Sequence, residues 1–231
     1  MAKNGRQYVR YTFYKVDPTW RRLEPSVKES HRKEMVALVD ELSDQMLLRT
    51  YGLMGTRGDV DFATWTVADT LEPFQTLASR MFSTGLGHYL ATPHSYLAMT
   101  RRSVYVDKHQ HSGQEGARLA IKPLGTKYLF VYPFVKTRDW YLLPKEKRHE
   151  MMDTHITVGH KYPTVKINTS YSFGLDDQEF VVSFESEEPS DFLDLVMELR
   201  ETQGSKYTLR DTPTFTCVAM EMEQVLRGLG D

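Results

Sequence analysis

The sequence predicts an α+β fold made of two consecutive β-α-β-β-α-β units. Three observations carry this reading. Strand-like and helix-like segments follow one another in that order in each half. A glycine- and aspartate-containing turn separates two strands in each half, at Gly55–Asp59 and at Gly174–Asp177. A polar segment at 107–126 with little periodicity lies between the halves. The composition is compatible: 231 residues, 40% hydrophobic and 26% charged, suit one compact domain or two small ones sharing a core. An aromatic content of 12% supplies bulky material for a core or for a pocket that takes a flat ligand.

The first half opens with residues 6–16, rich in β-formers and partly alternating. Asp17-Pro18 reads as a helix start, with Asp17 as cap and Pro18 in the first helical position. Helical character runs to about Leu42, with a break near Pro25. Met46–Tyr51 is a strand, Gly55–Asp59 a turn, Val60–Val67 the returning strand, Leu71–Phe82 a helix and Tyr96–Val106 a fourth strand. Residues 107–126, which include His109, His111 and Glu115, exceed the usual connection and are expected to form a linker or a flap.

The second half repeats the order. Tyr128–Lys136 is a strand and Pro144–His160 a helix with Pro144 in its first turn. Thr164–Phe173 is a strand with Val165, Ile167, Thr169, Tyr171 and Phe173 on one face. After the turn at Gly174–Asp177, Glu179–Ser186 returns with Phe180, Val182 and Phe184 on one face. The helix at Pro189–Glu201 places Phe192, Leu195, Val196 and Leu199 at spacings of three and four. Thr214–Met220 is the eighth strand, and a short helix near Glu221–Leu229 follows. Each set is a ferredoxin-like repeat, an antiparallel sheet with helices on one face. The expected organisation is residues 1–106 as the first repeat, 107–126 as the linker or flap, and 127–231 as the second repeat. Two such sheets can pack together or close into a barrel with the helices outside.

A net charge of -2 gives no basic footprint and argues against nucleic acid as the main partner. The single cysteine, Cys217, excludes an intrachain disulfide and a thiolate metal cluster. No apolar run approaches the ~18 residues of a membrane span. A cytoplasmic protein is the default expectation.

Five separated segments carry a family likeness: Tyr132-Pro133-Phe134-Val135-Lys136, Trp140-Tyr141-Leu142-Leu143-Pro144, His155, Gly174-Leu175-Asp176-Asp177 and Glu198-Leu199-Arg200. In order and spacing they resemble the chlorite dismutase superfamily, and within it most closely the coproheme decarboxylases. The likeness covers about Tyr128 to Cys217 well and the first half by pattern. It implies a dimeric α/β barrel of two ferredoxin-like repeats, commonly assembled as a homopentamer, with porphyrin bound in the C-terminal half. It further implies iron coproporphyrin III (coproheme) as substrate and redox cofactor, haem b as product, hydrogen peroxide as co-substrate and a ferrochelatase that supplies coproheme.

The residues fit such chemistry one by one. His155 matches the family's proximal iron ligand, and a neutral imidazole suits that role. A lone helical histidine is otherwise mostly structural, and His149 and His160 compete nearby. His149, with Asp153 four residues on, reads as an exposed ion pair. Met151 and Met152, one turn back from His155, would give it an apolar wall. Tyr132 and Lys136 are four apart on a strand and so share a face. Tyr132 matches the tyrosine thought to form the radical that attacks a propionate. Lys136 matches a lysine that holds a porphyrin carboxylate. Without the likeness they are a barrel-lining tyrosine and a solvent-seeking lysine. Arg200 matches an arginine placed against a propionate, a fork that suits a carboxylate. Trp140 matches a tryptophan near the haem, and ordinary core packing explains it equally well.

Ile167 is a departure from the chlorite pattern. That strand position resembles a distal arginine in chlorite dismutases, and isoleucine donates no hydrogen bond. A glutamate that orients the proximal histidine is expected near Gly204 in chlorite dismutases and is absent here, which would make His155 a weaker donor. In decarboxylases with an apolar distal residue, a loop histidine is thought to deprotonate peroxide. His111 or His109 is the candidate, although the family position falls near Glu115. The alternatives are chlorite dismutation to chloride and oxygen, and a non-catalytic haem-binding member.

Overall fold

The structure, a computed structural model, describes residues 5–103, 105 and 120–230. Its elements run β1 (Tyr8–Val16), α1 (Pro25–Ser43), β2 (Leu47–Gly52), β3 (Phe62–Ala68), α2 (Glu72–Phe82), β4 (Leu90–Met99) and β5 (Tyr128–Lys136). There follow α3 (Arg138–Leu142), α4 (Lys145–Gly159), β6 (Lys166–Tyr171), β7 (Phe180–Ser186), α5 (Pro189–Arg200), β8 (Thr208–Arg210), β9 (Phe215–Ala219) and α6 (Met222–Gly228). The contacts divide the chain into two units, Met1–Met99 with Phe215–Asp231, and Thr100–Thr214. Among the described residues no helix is long and apolar enough to cross a membrane.

The first unit is an antiparallel sheet in the order β4-β1-β3-β2-β9, with Tyr11 of β1 opposite both Trp65 and Tyr96. Every residue of β3 is buried. One face is covered by α1, α2 and α6, which bring Met35, Leu38, Val39, Leu42, Leu77, Met81, Met222, Val225 and Leu226 into one core. The apolar residues of α1 recur at spacings of three and four, the pattern of a helix with one buried face. The expected break near Pro25 is present. Asp17 caps a short 3-10 turn, Pro18–Arg22, by accepting from Thr19 N–H at 2.8 Å, and α1 starts afresh with Pro25 in its first turn.

The second unit is an antiparallel sheet in the order β8-β5-β7-β6. Helices α4 and α5 contribute Val158, Phe192 and Leu195 to a core with Phe130 and Phe184 of the sheet. The β-β turns of the two units have the same construction. Gly55 (φ 83°) and Gly174 (φ 72°) adopt the left-handed conformation that glycine tolerates best. The carbonyls of Leu53 and Ser172 each accept two backbone N–H groups across their turn.

Three boundaries differ from the sequence reading. The fourth strand, expected at Tyr96–Val106, runs from Leu90 to Met99. Its pairing with β1 shifts register between Phe13 and Lys15, which leaves Thr92 and Pro93 at a bulge, where a proline costs no ladder hydrogen bond. That proline hides the start of the strand in the sequence.

The last strand and helix, expected in the second repeat with residues 127–231, belong to the first unit. Strand β9 pairs with β2 through Tyr51 opposite Ala219, and Thr50 Oγ1 donates to the Met220 carbonyl at 2.5 Å. Short-range pattern says that a strand exists, and does not say which sheet takes it. The third difference is two short elements that the sequence reading lacks, α3 and β8; each is too short to show a period.

The described end of the 107–126 segment is tied to the second sheet. The buried Glu185 carboxylate accepts from Leu124 N–H at 2.6 Å and from Gly125 N–H at 3.3 Å, and Lys166 Nζ donates to the Lys122 carbonyl.

Candidate functional site

The second unit presents a sheet face that its helices only half cover. Directly opposed residues of an antiparallel pair lie on the same face. The register therefore lays three rows across β5, β7 and β6: Phe130–Phe184–Ile167, Tyr132–Val182–Thr169 and Phe134–Phe180–Tyr171. The first row is sealed where Phe192 of α5 stacks on Phe130, with ring centroids 4.0 Å apart. Away from that contact the cover thins. Ile167 is 42% exposed and Phe173 49%, and Tyr132, Phe134, Phe180 and Tyr171 are half-buried.

Helix α4 passes over this face. A Cβ on Gly159 would lie 3.9 Å from Ile167 Cδ1. His155 is four residues earlier, on the same side of the helix. The sheet thus offers Ile167 and the helix offers His155 to one region. His155 is half-buried, and neither ring nitrogen has a hydrogen-bond partner among the described residues. Burial first, then the positive charge of Lys136, lowers its pKa to about 4, so the imidazole is neutral at pH 7. Such a ring fits an axial iron ligand. Among the described residues no group of three or more His, Cys, Asp or Glu side chains could hold a metal ion. The apolar, aromatic sheet face suits a flat macrocycle that brings its own metal ligands. Met151 is buried and Met152 half-buried one turn before His155.

Lys136 ends β5 at a shift of the β5–β8 register between Val135 and Lys136. Its ammonium donates to the Gly204 carbonyl at 2.8 Å and sits 4.4 Å from the centre of the Trp140 ring. Burial lowers its pKa to about 8, against the opposing pull of Glu179. Trp140 is buried against Tyr207, with ring centroids 5.7 Å apart. The short helix α3 turns Trp140 inward and leaves Leu142 81% exposed.

The Tyr132 and Phe184 ring centroids lie 5.8 Å apart, with the rings inclined at 28°. Its phenol has no hydrogen-bond partner among the described residues. Burial raises its pKa, Asp211 adds to the rise and Arg200 opposes it. Arg200, in the last turn of α5, donates from Nη2 to Asp211 at 2.6 Å with a largely exposed side chain.

Lys136 is thus in contact with Trp140 and its charge reaches His155, while Arg200 pairs with Asp211 and the charges of both reach Tyr132. The candidates His109, His111 and Glu115 lie outside the described residues. His149, read as exposed, is half-buried with its ring 5.1 Å from that of Tyr105.

One group was not legible in the sequence. Glu179 is buried, and its Oε2 accepts from Lys136 N–H at 2.8 Å and from Tyr141 Oη at 2.5 Å. A charged residue just after a turn reads as solvated, and its partners come from elements 38 and 43 residues away.

The family model described as Chlorite dismutase matches residues 28–220. The coproheme decarboxylase of Mycolicibacterium smegmatis is 34% identical over 180 residues, covering 78% of this chain and 75% of that protein. The chlorite dismutase of Ideonella dechloratans is 23% identical over 228 residues, covering 96% and 79%. Among solved structures, a mutant chlorite dismutase from Candidatus Nitrospira defluvii superposes with a TM-score of 0.89 at 25% identity, covering 100% of this chain and 97% of that one.

Proposed function

The chain belongs to the chlorite dismutase family, and on that premise we propose that it converts coproheme to haem b by peroxide-dependent oxidative decarboxylation of two propionates. The observation that carries this reading is the company His155 keeps. A neutral histidine on α4 faces a strand that presents Ile167, with the phenol of Tyr132 and the cation of Lys136 in the same unit. The likeness to a protein named coproheme decarboxylase, at 34% identity, supports the same choice.

Bound coproheme supplies an iron at which peroxide is reduced and the propionates that are lost. His155 would hold the iron. The apolar wall of Met152, Ile167 and the sheet aromatics would exclude water, and Trp140 would pack beside the macrocycle. Lys136 and Arg200 are the cations available for propionate carboxylates. Tyr132, having given one electron and its phenolic proton to the reduction of peroxide, would as a neutral radical take a hydrogen atom from a propionate carbon held beside it, a step that depends on position more than on acidity. Each propionate loses carbon dioxide, one proton and two electrons and remains on the macrocycle as a vinyl group. One peroxide accepts the two electrons with two protons and becomes two waters. We assign deprotonation of peroxide to His111. A homopentameric assembly, a cytoplasmic location and coproheme delivery from a ferrochelatase belong to the same proposal.

The test is mass spectrometry of the purified protein mixed with coproheme and peroxide. Stepwise loss of two propionate carboxyls is expected, together with loss of turnover in Tyr132→Phe. Unchanged porphyrin mass, or full turnover in Tyr132→Phe, sinks the assignment. The likeness to chlorite dismutase structures favours a second reading, chlorite dismutation. Ile167 weighs against it, since isoleucine cannot donate a hydrogen bond to an oxyanion. Oxygen evolution on adding chlorite to the haem-loaded protein would favour that reading. Haem binding with neither activity would indicate a non-catalytic member.

A further inference from the structure

We infer that Tyr141 and Glu179 form a second oxidisable site in the same unit, a phenol paired with a buried carboxylate that takes oxidising equivalents not consumed by substrate. This rests on the peroxide-dependent reading above. Phenol oxidation is easy only if the phenolic proton has somewhere to go, because the phenol radical cation is a strong acid. Tyr132 has no hydrogen-bond acceptor among the described residues. Tyr141 has one in place. Its Oη lies 2.5 Å from Glu179 Oε2, and Glu179 is only 9% exposed. A second donor, Lys136 N–H at 2.8 Å, holds the same oxygen and fixes the carboxylate for the transfer.

The step balances simply. One electron leaves the Tyr141 ring and reduces the peroxide-derived oxidant by one equivalent. The phenolic proton crosses the existing hydrogen bond to Glu179. The products are a neutral tyrosyl radical and a neutral carboxylic acid, so the pair passes from one negative charge to none and no buried positive charge is left behind. Simple deprotonation of Tyr141 is opposed, since burial and then the hydrogen bond to Glu179 raise its pKa. Electron and proton must therefore leave together.

Two further observations favour this pair. A run of packed rings joins it to Tyr132. Centroids are separated by 6.5 Å from Tyr132 to Phe134, 6.1 Å to Phe180, 5.0 Å to Phe173 and 6.0 Å to Tyr141. The neighbouring indole, Trp140, is disfavoured as the site of oxidation. The Lys136 ammonium lies 4.4 Å from its ring centre, and a like charge there raises the energy of an indole radical cation.

Freeze-quench electron paramagnetic resonance of the coproheme-loaded full chain after peroxide addition tests this. In a Tyr132→Phe background, a tyrosyl signal is expected to persist. Adding Tyr141→Phe should lower it about tenfold, and Glu179→Gln should slow its formation to a similar degree, because an amide is a poor proton acceptor. A spin trap should label Tyr141 in the peptide map. An equal signal with and without Tyr141, no effect of Glu179→Gln, or no tyrosyl signal in any variant would overturn the inference. Porphyrin masses measured on the unsubstituted protein in the same run separate the two ideas. Decarboxylation with a Tyr141-independent radical overturns only the Tyr141 pair. A Tyr141-dependent radical without decarboxylation overturns only the proposed reaction.

Discussion

The two units share a plan and differ in how far they are filled. Each is an antiparallel sheet with helices on one face and a β-β turn built on a left-handed glycine. In the first unit three helices seal that face, and all of β3 is buried. In the second, α4 and α5 fully bury Phe130 and Phe184 but only partly cover Tyr132 and Val182, and β6 leaves Ile167 and Thr169 exposed. The first unit receives an extra strand and helix from the end of the chain, and the second receives only the short α3 and β8. The lesson is that a site can arise where a repeated architecture stops short of completing its core. The residues proposed for the chemistry, Tyr132, Lys136 and His155, all belong to the unit with the incomplete face.

This contrast can be broken by measurement. Trp65→Ala in the first unit removes a fully buried ring and should destabilise the haem-free chain by about 3–5 kcal/mol in denaturant unfolding, with Ile167→Ala under about 1 kcal/mol. Similar losses for both would erase the distinction.

The next effect is a pH dependence. His155 has a folded pKa of about 4 against an ordinary 6.5, so the unfolded chain binds the extra proton first as pH falls. Stability of the haem-free protein should therefore drop between about pH 6.5 and 4, by about 2–3 kcal/mol from this residue. His155→Ala should flatten that window. The same variant should alter the Soret spectrum of the haem-loaded protein, and an unchanged spectrum would remove His155 from the axial position.

Tyr141→Phe should cost about 1–2 kcal/mol, because it takes one donor from a buried carboxylate and leaves the other. A loss under about 0.3 kcal/mol would mean that Glu179 is solvated. Arg200→Ala should be the mildest, within about 0.5 kcal/mol, since its pair with Asp211 is largely exposed. On the proposed function its effect should appear instead as weaker coproheme binding in a fluorescence titration.

Much of this was legible in the chain. Strand β5 falls at Tyr128–Lys136 as read, because its β-formers are dense and its ends are marked. Helices α2, α4 and α5 sit within a residue or two of their expected bounds, since each starts at or next to a proline, and α1 begins at the expected break, at Pro25. What was hidden depends on distant partners. The membership of β9 and α6 is decided by β2 and α1, more than 150 positions earlier. The four-residue spacing of Tyr132 and Lys136 implied a common face. What that spacing could not show is that the lysine head is held by Trp140 and the Gly204 carbonyl beside a register shift at Val135. Glu179 gives no local signal at all.

The return of the chain to its first unit has a consequence in time. A ribosome finishes residues 100–214 before it makes Met222, Val225 and Leu226, which the first core requires. The unit that holds the candidate site is thus available to fold while the other still has an open seam of apolar side chains. In a growing polypeptide the first unit is therefore the one that must wait with apolar side chains uncovered, the kind of surface on which partly made chains associate.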